Sequence, residues 1–216
     1  IAGVAAFNYM EVAATDKIYQ SGIAKQVFQL ADGSVVTLNK NSKIIIDKQF
    51  NIDQRIISLE GEALFSVKKD QKDKPFIVKT NHGEVTVLGT EFNINAGRQT
   101  NVYVKHGKVA LSDKLSEHKI QLVKGELGIA NESGNLSKRK GNDNILFWQT
   151  SFLSFEGKKL IDIANEVNMR LGTKIILDEN IQHIKLTMSF EGDQVSSFFD
   201  ELKKLKSNSI AKEGDI

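Results

Sequence analysis

The stretch KPFIVKTNHGEVTVLGTEFNI, from Lys74 to Ile94, sets glycines, a histidine, carboxylates and threonines between valines, and such a set could hold a phosphate or a metal. A phosphate-binding loop needs G-x-x-x-x-G-K-[ST], or G-x-G-x-x-G at the start of a helix. The spacing from Gly83 to Gly89 fits neither pattern, and strand-like alternation continues beyond it. The stretch therefore predicts a β-hairpin rather than a nucleotide site.

The histidines form no recognisable metal-binding motif. His82, His106, His118 and His183 show no i, i+2 or i, i+4 pairing and no HExxH pattern. His82 and His106 each precede a glycine in a predicted hairpin turn. Two such loops could meet around a metal, but solvent-exposed turn residues are the favoured interpretation.

Glu60 and Glu62 are the carboxylate pair that we single out, because they flank Gly61 and would project from one face of a strand. Glycoside hydrolysis needs two such groups placed by the fold. A solvated strand face or a turn hydrogen bond is the favoured interpretation, and the G-x-S-x-G elbow of serine hydrolases is missing. We predict no catalytic residue, no metal, no cofactor and no enzymatic activity.

Composition limits the classes of partner. The chain has 216 residues, with 29 basic and 27 acidic side chains and a formal net charge of +2. Nucleic-acid binding usually requires a clustered basic face, so this balance argues against it. Cysteine is absent, which excludes a disulfide framework and a thiol nucleophile.

Residues from about Gln26 to Ala130 alternate between apolar and polar types, with Gly, Asn and Asp at the turns. A period of two with turn signals every 8–12 residues, roughly, predicts an all-β domain that is solenoid- or sandwich-like. We favour the solenoid form because the strands are short and evenly spaced. At the turn 81–83, we expect Gly83 to supply a positive φ.

Polar residues fill positions 133–144 and include the basic triplet Lys138–Lys140. Such a segment predicts a linker or an exposed loop, and nucleic-acid targeting is the sharper alternative.

The C-terminal part predicts two helices and two strands. Apolar residues from Leu160 to Leu171 fall on one helical face, with Gly172 placed as the C-terminal cap. The runs KIILD and IKLTMSF are strand-like, and a second helical stripe comprises Val195, Phe198, Phe199, Leu202 and Leu205. SFEG occurs at 154–157 and again at 189–192, so we predict a small α+β domain made of two βαβ halves.

Three runs together resemble the FecR family of bacterial envelope anti-sigma regulators: LADGSVVTLNKNS, RIISLEGEALFSV and KPFIVKTNHGEVTVLGTEFNI. VYVKHGKVAL resembles a further family pattern. Ala31 and Asn41 stand where the family often has proline and glycine. The resemblance marks these motif residues as structural: Gly61, Glu62, Phe65, Pro75, Phe76, Gly83, Leu88, Gly89, Thr90, Phe92 and Asn93.

The resemblance implies three segments. Residues 1–17 would be the stub of a membrane span and a linker, 18–140 the FecR-like all-β domain, and 141–216 a domain like the secretin/TonB short N-terminal domain. The chain would be the periplasmic region of a regulator that is anchored in the inner membrane by one span.

The resemblance also implies partners. The signalling domain of an outer-membrane TonB-dependent transducer would bind this region, and a cytoplasmic part would control an extracytoplasmic-function (ECF) sigma factor. We place the contact on the strand-like run that carries Ile184, Leu186, Met188 and Phe190, because an open strand edge favours docking. Packing of these side chains in the core is the competing interpretation. A glycan-binding β-domain is the alternative function, with Trp148 as its one tryptophan.

Overall fold

The structure is a computed structural model that describes residues 15–195, apart from 53 and 116–117, together with residue 200. The chain divides into two compact units between Gly141 and Asn142. The predicted membrane stub lies almost wholly outside the described residues, as does the second helical stripe beyond Val195. Over the part described, no helix has both the length and the apolar character needed to cross a bilayer.

The described residues of the first unit form thirteen strands. In chain order they are β1 (Lys17–Gln20), β2 (Gln26–Gln29), β3 (Val35–Leu38), β4 (Lys43–Ile46), β5 (Arg55–Ser66), β6 (Phe76–Lys79), β7 (Gly83–Val87), β8 (Glu91–Ala96), β9 (Thr100–His106), β10 (Lys108–Asp113), β11 (Lys119–Val123), β12 (Glu126–Ala130) and β13 (Leu136–Lys140).

Strand β5 belongs to two layers. Its first half pairs with β4 and β6, in a layer ordered β1-β4-β5-β6-β7-β10-β11. Its second half pairs with β3 and β8, in a layer ordered β2-β3-β5-β8-β9-β12-β13. The thirteen strands are therefore one continuous sheet that is folded over at β5.

A single apolar core draws on both layers. Ile57 and Leu59 from the first half of β5 belong to the same buried cluster as Ala63 and Phe65 from its second half. Alternate residues of a strand point to one face, so each layer contributes every second side chain. The rings of Phe65 and Phe92 stack with their centroids 5.2 Å apart at the centre of this core.

The preference for a solenoid was wrong. Apart from the parallel pair β5–β6, every pairing among these strands is antiparallel. A β-solenoid stacks successive coils in parallel, whereas hairpin turns place consecutive strands antiparallel. The short, evenly spaced strands are those of a folded, sandwich-like sheet.

Gly61 marks the point where β5 passes from one layer to the other. Its φ is +88°, and a Cβ atom there would lie 2.4 Å from Ser42 Oγ. Only glycine avoids both the backbone strain and the clash. The glycine of the GEA motif is therefore a requirement of the folded sheet.

Gly83 has a different role from the one expected. It opens β7 and is not among the glycines with a positive φ. A Cβ atom there would lie 2.7 Å from the carbonyl oxygen of Ser112 and 3.2 Å from the Ala130 Cβ. The position needs glycine because another strand approaches closely, and the turn is held by Thr80, whose Oγ1 donates to the Gly83 carbonyl at 2.7 Å.

Part of the predicted linker is strand β13. This strand lies at the edge of its layer, and Ser137, Lys138, Arg139 and Lys140 are exposed on it. The Lys138 Nζ lies 3.0 Å from an oxygen of Glu126 on β12 and donates to the carbonyl of Gln121 on β11 at 3.2 Å. Charged side chains on an edge strand oppose unwanted pairing, which explains the basic triplet without nucleic acid.

The second unit contains a short helix α1 (Phe147–Thr150), strand β14 (Phe152–Lys159), helix α2 (Leu160–Leu171) and strand β15 (Lys185–Glu191). The predicted helix over 160–171 is confirmed: Leu160, Ile163, Ala164 and Val167 are buried, and Gly172 ends the helix in the left-handed conformation. These residues form a second core with Leu153, Phe155 and Phe190.

The run KIILD, residues 174–178, was predicted as a strand and is none. The side-chain amide of Asn168 on α2 binds the backbone of Ile175 instead. Its Oδ1 accepts from the Ile175 N–H at 2.7 Å, and its Nδ2 donates to the Ile175 carbonyl at 3.0 Å. Both backbone groups that a neighbouring strand would use are thus occupied by a side chain.

The repeated SFEG segments pair with each other. β14 and β15 run antiparallel, and Ser154 lies opposite Ser189, which is the same position in the two copies. Leu153 opposite Phe190 and Phe155 opposite Met188 extend this symmetry. The strands of the two copies are therefore related by a local twofold axis, while the helix of the second copy falls largely outside the described residues.

We expect Gly61→Ala to lower the free energy of unfolding by about 2–5 kcal/mol, from left-handed backbone strain plus overpacking against Ser42. Gly125→Ala is the matched control, because Gly125 has φ +81° but no atom within 4 Å of its Cβ position. It should cost about 1–2 kcal/mol. Urea denaturation measures both, and equal losses would contradict the steric role of Gly61.

A pH-dependent contribution is expected from Glu126. The backbone N–H of Val123 and then Lys138 hold the pKa of this carboxyl below its usual value of 4.5. A lowered folded-state pKa stabilises the protein above the unfolded-state pKa, and the stabilisation is lost as pH falls through the folded-state value. Urea midpoints of the native protein and Glu126→Gln should therefore converge below pH 4.5, and a constant difference would contradict this.

Candidate functional site

A buried ion pair joins two of the motif runs. Arg55, the first residue of β5, donates from Nη1 to Asp32 Oδ2 at 2.9 Å. The two side chains are only 1% and 3% exposed. Arg55 is in phase with Ile57 and Leu59, so the strand alternation itself carries this charge into the interior.

The same guanidinium ties three further segments together. Nη1 donates to the carbonyl of Lys68 at 2.8 Å, and Nη2 donates to the carbonyls of Lys74 at 2.7 Å and Leu88 at 3.3 Å. The Arg55 Cζ lies 5.4 Å from the centroid of the Phe76 ring. One side chain thereby satisfies carbonyl groups from separate loops at one end of the folded sheet.

Asp32 is fixed in turn by the residue that follows its glycine. The Ser34 N–H donates to Asp32 Oδ1 at 2.9 Å, and the Ser34 Oγ donates to Oδ2 at 2.7 Å. The Ser34 Oγ also accepts from the Lys68 N–H at 3.1 Å. The DGS sequence therefore holds the Asp32 carboxylate in a fixed position, where it can accept from Arg55.

A second polar cluster lies at the other half of β5. Glu62 Oε2 accepts from Asn39 Nδ2 at 2.8 Å, and Oε1 accepts from Asn93 Nδ2 at 2.9 Å. Both oxygens are thus engaged by side-chain amides, one directly after β3 and the other on β8. Glu60 instead binds Lys43 Nζ at 3.1 Å at the surface. The two carboxylates serve separate contacts, so this geometry does not support a catalytic pair.

Two serines continue this cluster. The Glu62 N–H donates to Ser42 Oγ, and the Ser42 N–H donates to Ser21 Oγ, both at 2.9 Å. The Ser21 hydroxyl donates to the carbonyl of Asn39, and it also lies 3.1 Å from the carbonyl of Ser42. Asn39 and Ser42 of the LNKNS run therefore connect the residues that follow β1 and β3 to β5.

The remaining motif residues also pack or bind within the fold. Phe76 and Phe92 are fully buried, and the carbonyl of Pro75 accepts from the Arg55 N–H at 3.1 Å.

A Cβ at Gly89 would lie 2.9 Å from the Lys69 Cβ. Thr90 Oγ1 donates to the carbonyl of Lys108 at 2.9 Å. Leu88 differs, because its side chain is 46% exposed while its carbonyl binds Arg55.

The sequence interpretation missed Asp32, Ser34, Asn39, Ser42 and Arg55 as organising residues. All five stand in the motif runs quoted from the sequence. A signal was present for Arg55, because a charge in phase with buried strand residues must find a partner. Its partner Asp32 lies 23 positions away in the chain, and only the folded sheet brings the two together.

The histidines stay apart from any metal-binding group. His106, His118 and His183 are exposed and His82 is half-buried. Among the residues that the structure describes, no three His, Cys, Asp or Glu side chains come together in a way that could hold a metal ion. Trp148 is half-buried in α1, which gives the glycan alternative no exposed platform at its tryptophan.

The predicted partner-binding residues occupy three different environments. Ile184 precedes β15 and is 47% exposed. Leu186 and Met188 are partly buried against the second core, and Phe190 belongs to that core. Partner contact at these residues stays a prediction, but their packing means that a proline at Leu186 would also disturb the domain itself.

The comparison with protein families agrees with the motif runs. The family described as "FecR protein" matches residues 18–110. We call residues 18–110 the FecR domain, after the family that they match. This range contains the Arg55–Asp32 pair and the Glu62 cluster, so both are features of the FecR domain. A search of curated proteins returns no match.

Solved structures resemble the chain over nearly its whole length. Two crystal structures from Parabacteroides distasonis ATCC 8503 are each described as a "putative anti-sigma factor". One is 24% identical, with a TM-score of 0.61, and the match covers 89% of this chain and 92% of that chain. The other is 25% identical, with a TM-score of 0.60, and the match covers 88% and 92%.

We expect Asp32→Ala to destabilise the FecR domain by about 3–5 kcal/mol, because it leaves the Arg55 charge buried without its counter-ion. The control is Glu60→Ala, which removes the surface pair with Lys43 and should cost about 0–1 kcal/mol. Urea denaturation measures both. Adding Arg55→Met to Asp32→Ala should recover part of the loss, and a fully additive double variant would contradict the coupling.

Proposed function

We propose that this chain is the periplasmic sensor region of a transmembrane anti-sigma factor. The observation that carries the proposal is the combination of a FecR domain with likeness, across nearly the whole chain, to structures described as putative anti-sigma factors. In this proposal an inner-membrane span precedes the region, and a cytoplasmic part controls an ECF sigma factor.

The signal would come from the signalling domain of an outer-membrane TonB-dependent transducer. Binding of that domain has to favour one state of the regulator over another, since a ligand shifts an equilibrium only by its differential affinity. The carboxylates of Asp32, Glu60 and Glu62 are all engaged in hydrogen bonds or ion pairs within the fold. Their arrangement supports recognition rather than a reaction on a substrate.

The second unit is the proposed docking domain. Its exposed apolar side chains include Phe152, Met169, Ile176 and Ile184. The predicted contact at Ile184, Leu186, Met188 and Phe190 lies on or beside β15. Since Phe190 is buried, the exposed Ile184 is the member of this set best placed to touch a partner directly.

The test is a calorimetric titration of the chain with the isolated signalling domain of a transducer encoded next to it. We expect saturable one-to-one binding with a dissociation constant in the micromolar range, about −8 kcal/mol. The signalling domain of a transducer encoded elsewhere is the control for specificity. No binding at about 100 μM of the neighbouring domain would overturn the proposal.

Ile184→Asp should weaken this binding at least tenfold, because it places a charge at the proposed contact. Ile176→Asp is the matched control, since Ile176 is exposed in the same unit but is not adjacent to β15 in the sequence. Equal affinities for both variants would remove Ile184 from the contact.

A further inference from the structure

The two copies of the repeat differ in how their outer strand edges are closed. In an antiparallel pair, residues alternate between those that bond across to the partner strand and those whose N–H and C=O point away. Ser154 and Ser189 face each other at the local twofold axis. If one of them directs its backbone groups outward, the other does as well.

The outer edge of β14 is closed by a side chain. The Ser154 N–H donates to Asn144 Oδ1 at 2.8 Å, and Asn144 Nδ2 donates to the Ser154 carbonyl at 3.1 Å. Asn144 is itself buried. These two bonds show that the backbone groups of Ser154 point away from β15, and that the amide takes the place of a neighbouring strand.

Among the residues that the structure describes, none caps the equivalent edge of β15 in this way. The sequence before the second copy, Glu179-Asn180-Ile181, resembles Asp143-Asn144-Ile145 before the first, but it is shifted by one residue relative to the spacing of the SFEG segments. Asn180, however, is exposed, and its backbone N–H donates to Asp178 Oδ1 at 3.1 Å. Within the described part of the chain, nothing bonds the outward N–H and C=O of Ser189.

The side chains along this edge favour a strand as the occupant. Thr187 and Ser189, in the middle of β15, are exposed, small and uncharged, and the charged residues Lys185 and Glu191 lie only at the two ends of the strand. The Thr187 Oγ1 accepts from the Gly157 N–H at 3.0 Å. The edge strand β13 of the first unit instead carries Lys138, Arg139 and Lys140, whose charges oppose pairing with another strand. An extended chain supplies one carbonyl and one N–H at the spacing that Ser189 requires, as in β-augmentation.

We propose that the outer edge of β15, centred on Ser189, binds an extended segment of the transducer signalling domain as an added β-strand. This inference rests on the proposed function, because it names how the same partner is recognised. The backbone of β15 would provide the binding energy, while the partly buried Leu186 and Met188 hold the strand in place from the core side.

The experiment compares Ser189→Pro with Ser189→Ala in the calorimetric titration. Proline removes the outward N–H and is tolerated on edge strands whose N–H faces solvent. Alanine keeps the N–H and removes only the hydroxyl. We expect Ser189→Pro to weaken binding at least tenfold and Ser189→Ala to leave it within about twofold. Equal affinity of the native chain and Ser189→Pro would overturn the added strand.

A second measurement covers the case in which Ser189→Pro fails to fold, as judged by its circular dichroism and urea midpoint. Amide hydrogen exchange of the native chain should then show slower exchange at Ser189 when the signalling domain is bound. Unchanged exchange there, with binding intact, would overturn the inference while leaving the proposed function standing. Loss of binding by the native chain itself would instead remove the proposed function.

Discussion

The FecR domain depends on a charge placed inside an apolar sheet. Burial removes water from the Arg55 guanidinium, and the contacts of the guanidinium have to offset the free energy of that desolvation. It does so by binding Asp32 and the carbonyls of Lys68, Lys74 and Leu88. Segments distant in sequence thus share one donor group. Loss of either Arg55 or Asp32 would leave the other charge buried without its counter-ion. The pair therefore constrains the loops at that end of the domain.

Strand β5 carries the second constraint at its other half. Gly61 lets the strand pass between the layers, and Glu62 then binds Asn39, directly after β3, and Asn93 on β8. Buried polar networks that are fully satisfied favour one register over others. The charged pair at the start of β5 and the carboxylate–amide cluster after its bend therefore fix both layers to the same strand. The motif runs of the family describe this arrangement rather than a reactive site.

In the small second unit, asparagine side chains bind backbone groups that a neighbouring strand would otherwise bind. The Asn144 side chain closes the edge of β14 at Ser154, and the Asn168 side chain accepts a hydrogen bond from the backbone of Ile175. Side-chain amides can take the place of a neighbouring strand because they offer both an N–H donor and a carbonyl acceptor. The edge of β15 at Ser189 lacks this closure among the described residues. A duplicated unit can in this way keep one edge structural and free the other for recognition.

The sequence by itself determined the β-rich half, the helix over 160–171, the SFEG repeat and the family motifs, because these depend on local periodicity and turn residues. It did not determine how strands pair. The solenoid preference failed because period-two alternation is the same in parallel and antiparallel sheets. The strand expected at KIILD and the loop expected at 136–140 failed because side-chain amides and edge pairing decide such segments. The Arg55–Asp32 pair likewise needed the tertiary structure, since contact across 23 positions leaves no local pattern.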